Sequence, residues 1–209
     1  MFKTLGKRGC RRLAAASIVR TLAPGAVLWH AGEKPPHICL VSEDMLQMVK
    51  VSRHGNTASL ALVLPGEAFG CVFFLLDHSI FSDLSAFAKS VVVLIPGRLA
   101  FDIGKNNPGW FKAMAVQLSA LLVRQDRFRA ICAMTAKEKI PSLLICLRDL
   151  TGESELKLTQ ADIAKLAALS EETVNRTLSR LKKRGIVAVS RGTISIVNPS
   201  LLMKLAAGI

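Results

Sequence analysis

Acidic residues are scarce in this sequence, and it lacks the patterns of a membrane span and of a disulfide scaffold. The 209 residues include 28 Lys and Arg but only 15 Asp and Glu. No run of about 18 uncharged apolar residues occurs, which excludes a transmembrane helix and predicts no membrane partner. The five cysteines form no C-x-x-C pair, and their odd number argues against a disulfide framework. We therefore expect a soluble protein of the reducing cytoplasm.

Positive charge is concentrated outside residues 33–107. Residues 1–32 have six basic and no acidic residues, residues 33–107 have six and seven, residues 108–150 have seven and three, and residues 151–209 have nine and five. The net charge of +13 favours a polyanionic partner, either nucleic acid or an anionic membrane surface. A neutral segment between basic ones favours a sensor module joined to a nucleic-acid binder.

The basic N-terminal stretch, residues 1–20, superficially resembles an organelle-targeting segment. The apolar residues Leu5, Leu13 and Ile18 favour a different interpretation, namely a short helix that packs in front of the first strand. The cations of this stretch are Lys3, Lys7, Arg8, Arg11, Arg12 and Arg20.

The segment Leu158–Arg184 has the pattern of two short helices around a tight turn. Thr159 and Ser170 are the N-cap candidates. Apolar residues at i, i+3 and i+4 predict the buried face of the first helix: Ile163, Leu166 and Ala167. In the second helix, one side is predicted to be buried through Val174, Leu178 and Leu181. The opposite side is polar, with Asn175 at its margin, and consists of Glu172, Arg176, Ser179 and Lys183.

A predicted hairpin follows the basic run that ends this helix pair. This run consists of Arg176, Arg180, Lys182, Lys183 and Arg184. The strand-like segments IVAVS and TISIV are separated by Arg191 and Gly192, which predicts a hairpin with a basic tip. A solvated helix could have the same polar face, but a helix pair followed by such a hairpin is typical of a winged helix-turn-helix. In that fold the second helix enters the major groove of double-stranded DNA.

The polar side of the second helix has side chains suited to reading bases. An arginine can donate two hydrogen bonds to guanine, and a carboxylate can accept one from cytosine, so Arg176 and Glu172 are the predicted base readers, assisted by Asn175. No catalytic residue is predicted, and we expect no enzymatic activity. Phosphate contacts are predicted for Thr159, Gln160, Ser170, Thr173, Ser179, Lys182, Lys183 and Arg191.

Two further regions have distinct patterns. Short apolar segments between residues 27 and 95, cut by turns at residues 31–32, 53–56 and 65–66, predict an antiparallel jelly roll. After Pro108, apolar residues at alternating spacings of three and four predict a long helix. Periodicity alone allows its apolar stripe either to pack on the roll or to form a dimer interface. The stripe consists of Phe111, Met114, Leu118, Leu121 and Phe128.

The segment LTQADIAKLAALSEETVNRTLSRLKKRGIV is similar to the DNA-binding domain of the Crp/Fnr transcription regulators, relatives of the cyclic-AMP receptor protein. LAPGAVLWHAGEKPPHICLV and LALVLPGEAFG resemble the sensor domain of that family. The resemblance implies an α+β protein with a sensor roll and short N-terminal helix over residues 1–107, a dimerisation helix over 108–133 and a winged helix-turn-helix over 134–209. It further implies a homodimer on a palindromic operator, a dimer interface along the apolar stripe, and RNA polymerase as a partner.

The resemblance also identifies where the sequence departs from cyclic-nucleotide binders. Those relatives carry a Gly-Glu pair for the ribose and an Arg-Ser or Arg-Thr for the phosphate, whereas Cys71 replaces the Glu and no Arg lies between Arg53 and Arg98. A buried phosphate would lack a guanidinium partner, so we expect no response to cyclic nucleotides. The predicted effector pocket is apolar instead, formed by Phe69, Cys71, Phe73 and Phe74.

Histidines and cysteines in the roll keep a second hypothesis open. His30, His37, His54 and His78 all lie there, and His37 and Cys39 would share one strand face, so a haem- or metal-binding sensor, or a metal-dependent activity, is the alternative. A redox-sensing Cys71 or Cys39 is a further possibility. Because no second paired set of ligands is visible, the prediction is no metal ligand and no cofactor, with haem as the alternative.

Two helices are predicted in the C-terminal part of the chain, one before and one after the helix-turn-helix and its hairpin. A helix is predicted over residues 135–150, with a late start or a kink because Pro141 lacks an N–H group and would clash with the preceding turn. Residues 134–136 are the predicted hinge, and residues 201–206 a short terminal helix.

Overall fold

A computed structural model describes residues 1–51 and 57–208. Two compact units are present: residues 1–50 with 60–125, and residues 51–59 with 126–209. The predicted turn at residues 53–56, which includes His54, lies outside the described residues.

The first unit begins with a single 3-10 turn, which was not predicted, followed by the predicted short helix. The turn spans Phe2–Leu5, helix α1 spans Gly6–Ala16, and Leu13 is buried on its inner side. Ile18 does not join this packing, because it starts the first strand and is largely exposed.

The predicted antiparallel roll is confirmed as two four-stranded sheets, with strand orders β1-β8-β3-β6 and β2-β7-β4-β5. Strands β1, β6 and β7 had no strong sequence signal, because they are short or alternate poorly. The strands are β1 Ile18–Leu22, β2 Val27–Trp29, β3 His37–Glu43, β4 Leu46–Val51, β5 Thr57–Val63, β6 Ala68–Phe69, β7 Asp83–Ala86 and β8 Ser90–Pro96.

Strands β3 and β8 pair in antiparallel register and separate two hydrophobic clusters. Cys39 pairs with Leu94, and both side chains enter the cluster inside the roll. The neighbouring pair, Ile38 and Ile95, points to the opposite face and joins a cluster built with helices. This follows from the two-residue period of a strand, which sends successive side chains to opposite faces.

Three helices complete the first unit: α2 Cys71–Leu76, α3 Gly97–Gly104 and the long α4 Pro108–Ala133, which continues into the second unit. Trp110 is fully buried in the helical cluster. Gly104 gives its indole room, because a Cβ at position 104 would lie only 2.1 Å from the Trp110 ring.

Part of the apolar stripe of α4, which was predicted to form the dimer interface, is already covered within its own chain. Met114 retains 3% exposure and lies in the helical cluster of its own unit, and Leu118 packs against that cluster. Phe128 retains 2% exposure and Leu121 is half-buried, whereas only Phe111 is exposed. A heptad-like spacing shows that one face of a helix is buried, but not which partner buries it.

The second unit contains the predicted winged helix-turn-helix. Its elements are α5 Ala136–Thr151, β9 Glu155–Leu156, α6 Gln160–Ala167, α7 Glu171–Lys183, β10 Val187–Ser190, β11 Thr193–Ile196 and α8 Pro199–Ala206. Strands β10 and β11 form the predicted wing, and β9 adds an unpredicted third strand. Helix α8 confirms the terminal helix and begins two residues earlier than predicted.

Helix α5 begins at Ala136 and runs through Pro141, so the late start is wrong and the alternative, a kink, stays a prediction. Its first turn is stabilised by Glu138, whose carboxylate accepts hydrogen bonds from the backbone N–H of Thr135, at 3.2 Å, and from its hydroxyl, at 2.7 Å. Such a capping interaction favours a helix start at this point despite the downstream proline. Helices α4 and α5 are separated at Met134 and Thr135. These residues fall within the predicted hinge, but both belong to the second unit.

A buried ion pair attaches α4 to the roll of the first unit. The guanidinium of Arg124 donates two hydrogen bonds to the carboxylate of Glu67, at 2.8 and 2.6 Å. Glu67 also accepts from the backbone N–H of Leu64, and Gln117 of α4 donates to the carbonyl of Ala68. The side chain of Arg124 is only 8% exposed, so its charge depends on this partner.

We predict that Arg124→Ala lowers the free energy of unfolding by about 3 kcal/mol, because removing one partner leaves the other charge largely buried. Arg129→Ala on the same helix is the matched control: its pair with Asp126 is 75% and 66% exposed, and it should cost less than about 0.5 kcal/mol. Urea unfolding followed by circular dichroism measures both. Equal losses would contradict a structural role for the buried pair.

Candidate DNA interface

Both helices of the helix-turn-helix start at capping side chains. The Thr159 hydroxyl accepts from the N–H of Asp162 at 3.1 Å, and the Asp162 carboxylate accepts from the N–H of Thr159 at 2.8 Å. The Ser170 hydroxyl accepts from the N–H of Thr173 at 3.3 Å. Both predicted N-caps are confirmed, and Asp162 completes a reciprocal capping box with a shorter side chain than the usual Glu.

The turn between α6 and α7 passes through a left-handed residue. Ala168 has φ 51° and ψ 48°, and its N–H bonds back to the end of α6. The N–H of Leu169 also returns to Ala164, at 3.0 Å. These bonds end α6 and turn the chain sharply, so that only three residues separate Ala167 from the start of α7 at Glu171.

Helix α7 has the two sides that its sequence predicts. Val174, Leu178 and Leu181 are buried, and Thr177 joins them. The side chains predicted to read bases or to line the same side are exposed: Glu172, Asn175, Arg176, Ser179 and Lys183. The packing of one side onto the domain therefore leaves the other side accessible to a ligand.

The cations of this surface have no acidic partners within the unit. Among residues 1–51 and 57–208, none of the cations of α7 or the wing tip is in an ion pair. These cations are Arg176, Arg180, Lys182, Lys183, Arg184 and Arg191. Because surface cations without partners keep their full attraction for an anion, this surface is suited to phosphates.

Two grooves bring predicted contact residues together. One, of about 350 Å³, is lined by four of the predicted phosphate contacts and lies between α6, α7 and the wing: Gln160, Ser179, Lys182 and Arg191. The other, of about 540 Å³, is lined by Thr173 and Arg176 together with Thr135, Lys137 and Arg180. Thr159, Ser170 and Lys183 line neither groove, and the first two are engaged in capping.

The second groove contains residues that the site prediction missed. Arg180 lies one turn after Arg176 on α7, and Lys137 lies in the first turn of α5. The i, i+4 spacing of Arg176 and Arg180 was visible in the sequence, whereas the approach of α5 depends on the tertiary fold.

Two of the predicted effector-pocket residues, Phe73 and Phe74, line one cavity of about 850 Å³, and the four residues are distributed over the two clusters of the first unit. Phe69 and Phe73 lie inside the roll, with ring centroids 5.6 Å apart, and Trp29 lies 6.3 Å from Phe69. Cys71 belongs to the helical cluster, and Phe74 stacks on Phe101 at 5.8 Å outside the roll. The aromatic rings therefore fill much of the space between the sheets.

The cysteines of the roll are poorly suited to redox sensing. Burial raises the pKa of Cys39 and the pKa of Cys71 to about 12, so both thiols stay protonated near neutral pH. A reactive thiol needs the opposite, a lowered pKa with solvent access.

His37 and His78 line the same cavity, of about 850 Å³, whereas His30 does not line it. His30 and His78 are exposed and His37 is half-buried, whereas Cys39 is enclosed in the roll. The described residues contain no group of three or more His, Cys, Asp or Glu side chains that could hold a metal ion.

Of the helices in the described ranges, none is both long and apolar enough to cross a bilayer.

Comparison with known proteins assigns both units. The cyclic nucleotide-binding domain matches residues 19–107, and the Crp-like helix-turn-helix domain matches residues 129–205. The chain belongs to the Crp/Fnr family. Crp/Fnr proteins are transcription regulators and not enzymes, as expected from the sequence.

Two curated Crp/Fnr relatives cover nearly the whole chain. The nitrogen fixation regulation protein FixK of Rhizobium meliloti is 24% identical over 92% of this chain and 89% of its own length. The cyclic AMP receptor protein of Thermus thermophilus is 27% identical over 94% of this chain and 92% of its own. Among solved structures, FixK2 from Bradyrhizobium japonicum has the same fold, with a TM-score of 0.79 at 18% identity over 90% of this chain and 96% of that chain.

We predict that Ala168→Gly raises the free energy of unfolding by up to about 1 kcal/mol, because the left-handed conformation is unfavourable for alanine and not for glycine. Ala164→Gly, inside α6, is the control and should lower it by about 1 kcal/mol or more. Thermal unfolding of the two variants measures the difference. A loss of stability at both positions would argue against the left-handed turn.

Proposed function

We propose that this Crp/Fnr regulator acts as a homodimer that binds a palindromic operator through α7 and does not respond to cyclic nucleotides. The observation that carries the proposal is the exposed, unpaired Arg176 beside Glu172 on a helix held by capped ends and a buried opposite side. Its partners are double-stranded DNA, a second copy of the chain and RNA polymerase, in the cytoplasm.

Side-chain chemistry distinguishes the residues that read bases from those that contact phosphates. Arg176 can donate two hydrogen bonds to guanine, and Glu172, one turn earlier, can accept one from cytosine, with Asn175 beside them. The phosphate contacts are supported by the groove between α6, α7 and the wing, which is lined by the cations Lys182 and Arg191 and by Ser179. Glu171 is exposed where the cyclic-AMP receptor protein has a basic residue, so the base preference on that flank should differ.

The dimer interface belongs on the outer side of α4. Val116 is 62% exposed and Val123 is 70% exposed, and both lie about opposite to Met114 and Leu118 on the helix. Ser119 lies between them at spacings of three and four residues, as in a coiled-coil seam. Large apolar side chains left in water on a long helix are favourably covered by an identical helix. A dimer would present two copies of α7 to successive major-groove faces, about 34 Å apart.

The sensor domain is unsuited to a cyclic nucleotide for two reasons. The chain has no Arg between Arg53 and Arg98 to pair with a phosphate. In addition, Trp29, Phe69 and Phe73 occupy the interior of the roll. We propose that no cofactor is required; haem or a metal in the first unit is the alternative, and its support is limited to His37 and Cys39 on β3 and to the cavity that His37 and His78 share.

We predict that Arg176→Ala weakens binding to the preferred operator by about 1–3 kcal/mol and barely changes binding to random DNA. Lys183→Ala should instead weaken all sequences alike and reduce the salt slope by about 0.9, as expected for one lost phosphate contact. Lys204→Ala, on the exposed side of α8, is the control and should change neither. An operator selected by the wild-type protein from a random library serves as the duplex. If Arg176→Ala weakens both kinds of DNA equally, Arg176 does not read a base.

We predict that Val123→Asp converts the dimer into a monomer without unfolding it, because the residue is exposed in the single chain and would be buried only between two chains. Val197→Asp is a matched control, because Val197 is 60% exposed but lies outside α4. Size-exclusion chromatography with light scattering measures the mass. A dimer that survives both Val116→Asp and Val123→Asp would place the interface elsewhere.

We predict that cyclic AMP binds no more tightly than about millimolar, since burying its phosphate without a cationic partner costs several kcal/mol. Titration calorimetry with cyclic AMP, and with adenosine as the uncharged control, measures this. Micromolar affinity for cyclic AMP without affinity for adenosine would show that a phosphate site exists.

A further inference from the structure

The strongest charge cluster of the first unit lies on α1, outside the proposed operator-binding surface. All six cations of residues 1–32 are exposed, and no acidic residue occurs in that range. In the described part of the chain, none of the six is in an ion pair. Lys7, Arg8, Arg11 and Arg12 form the centre of this cluster and are named here the α1 face.

Helix geometry places the four cations on one side of α1. Positions 7, 8, 11 and 12 fall within an arc of about 140° at 100° per residue. Leu13 and Gly9 lie on the other side, where Leu13 is buried and a Cβ at Gly9 would lie 3.1 Å from Ile103. The helix packs on α3 and β8 through that other side. The α1 face is therefore held in place by packing and directed to solvent.

The α1 face is unfavourable for the helix that carries it. Lys7 and Arg8 lie in the first turn, where the helix dipole is positive, and no side chain caps this end. Lys7 with Arg11 and Arg8 with Arg12 are like-charge pairs at i, i+4, which destabilise a helix. A locally unfavourable pattern on a packed scaffold is typical of a binding surface, because an anionic partner would relieve the repulsion.

We propose that the α1 face is a second, sequence-independent binding surface for double-stranded DNA, contacting phosphates outside the base pairs that α7 reads. Duplex DNA has one negative charge per about 1.7 Å of axis, so two cation pairs one helical turn apart can each meet a phosphate. Helices that lie on membranes expose large apolar side chains, whereas the non-cationic exposed residues of α1 include Ala14, Ala15 and Ala16 and its Leu13 is buried. The α1 face thus fits DNA better than a lipid surface.

The test compares two triple variants of equal charge. Arg8, Arg11 and Arg12 are changed together to Gln, which removes both like-charge pairs, and thermal unfolding should show a midpoint at or above the wild-type value. Lys50, Lys89 and Arg98, which are exposed in the same unit but outside α1, are changed together to Gln as the control. Both variants keep α7 and the wing intact.

The inference rests on the proposed function, because the test needs an operator that the wild-type chain selects. Two duplexes carry this operator, one with flanks of about 5 base pairs and one with flanks of about 30 base pairs. The wild type and the control should bind the long duplex more tightly and with a steeper salt slope. The α1 variant should lose that gain, with a slope lower by up to about 2.7 per chain, and should match the wild type on the short duplex.

The possible failures are distinguishable. If no operator can be selected, the proposed function fails. If an operator is selected but long flanks give no gain, or the α1 variant keeps the gain, this inference is overturned. Binding of the wild type to phosphatidylserine vesicles, lost in the α1 variant and without any flank effect, would overturn it in favour of a membrane partner.

Discussion

The two-residue alternation along β3 and β8 determines the organisation of the first unit. Side chains such as Cys39 and Leu94 fill the roll, whereas Ile38 and Ile95 support the helical layer with Trp110. Because both faces of these strands are buried, shifting their register by one residue would disrupt both clusters at once. The inward packing of α4, the enclosure of Cys39 and the filled interior of the roll all depend on this constraint.

Sequence predictions succeeded where the deciding pattern is local. The helix-turn-helix could be predicted almost completely, because its caps at Thr159 and Ser170 and the buried face of α7 are local patterns. The partner of the α4 stripe could not, because Met114 has the same periodicity whether it packs on a roll or on a second helix. The division of the effector-pocket residues between two clusters could not be predicted either: Phe69 and Cys71 are two residues apart in sequence, but a strand ends and a helix begins between them.

Two sequence signals in α5 make opposite predictions about where the helix starts. The helix begins directly after the capping residue Thr135 and continues through Pro141. Pro141 correctly indicates a lost backbone hydrogen bond, but the Glu138 interactions with Thr135 stabilise the first turn, and the surrounding residues of α5 are buried from Lys139 to Leu147. Burial of this kind outweighs a local helix penalty of about 3 kcal/mol. Sequence reasoning that weighs only the proline therefore misplaces the helix start.

Strand β9 gives the wing a rigidity that a hairpin alone would lack. A two-stranded ribbon is marginally stable, but β11 also pairs with Glu155 and Leu156, and the N–H of Ile196 bonds to Ser154 at 2.8 Å. The base of the wing is thereby joined to the segment that leads into α6. The position of Arg191 relative to α7 is therefore fixed by the three-stranded sheet. A longer turn between β10 and β11 would change which phosphate Arg191 reaches, without altering the bases that α7 reads.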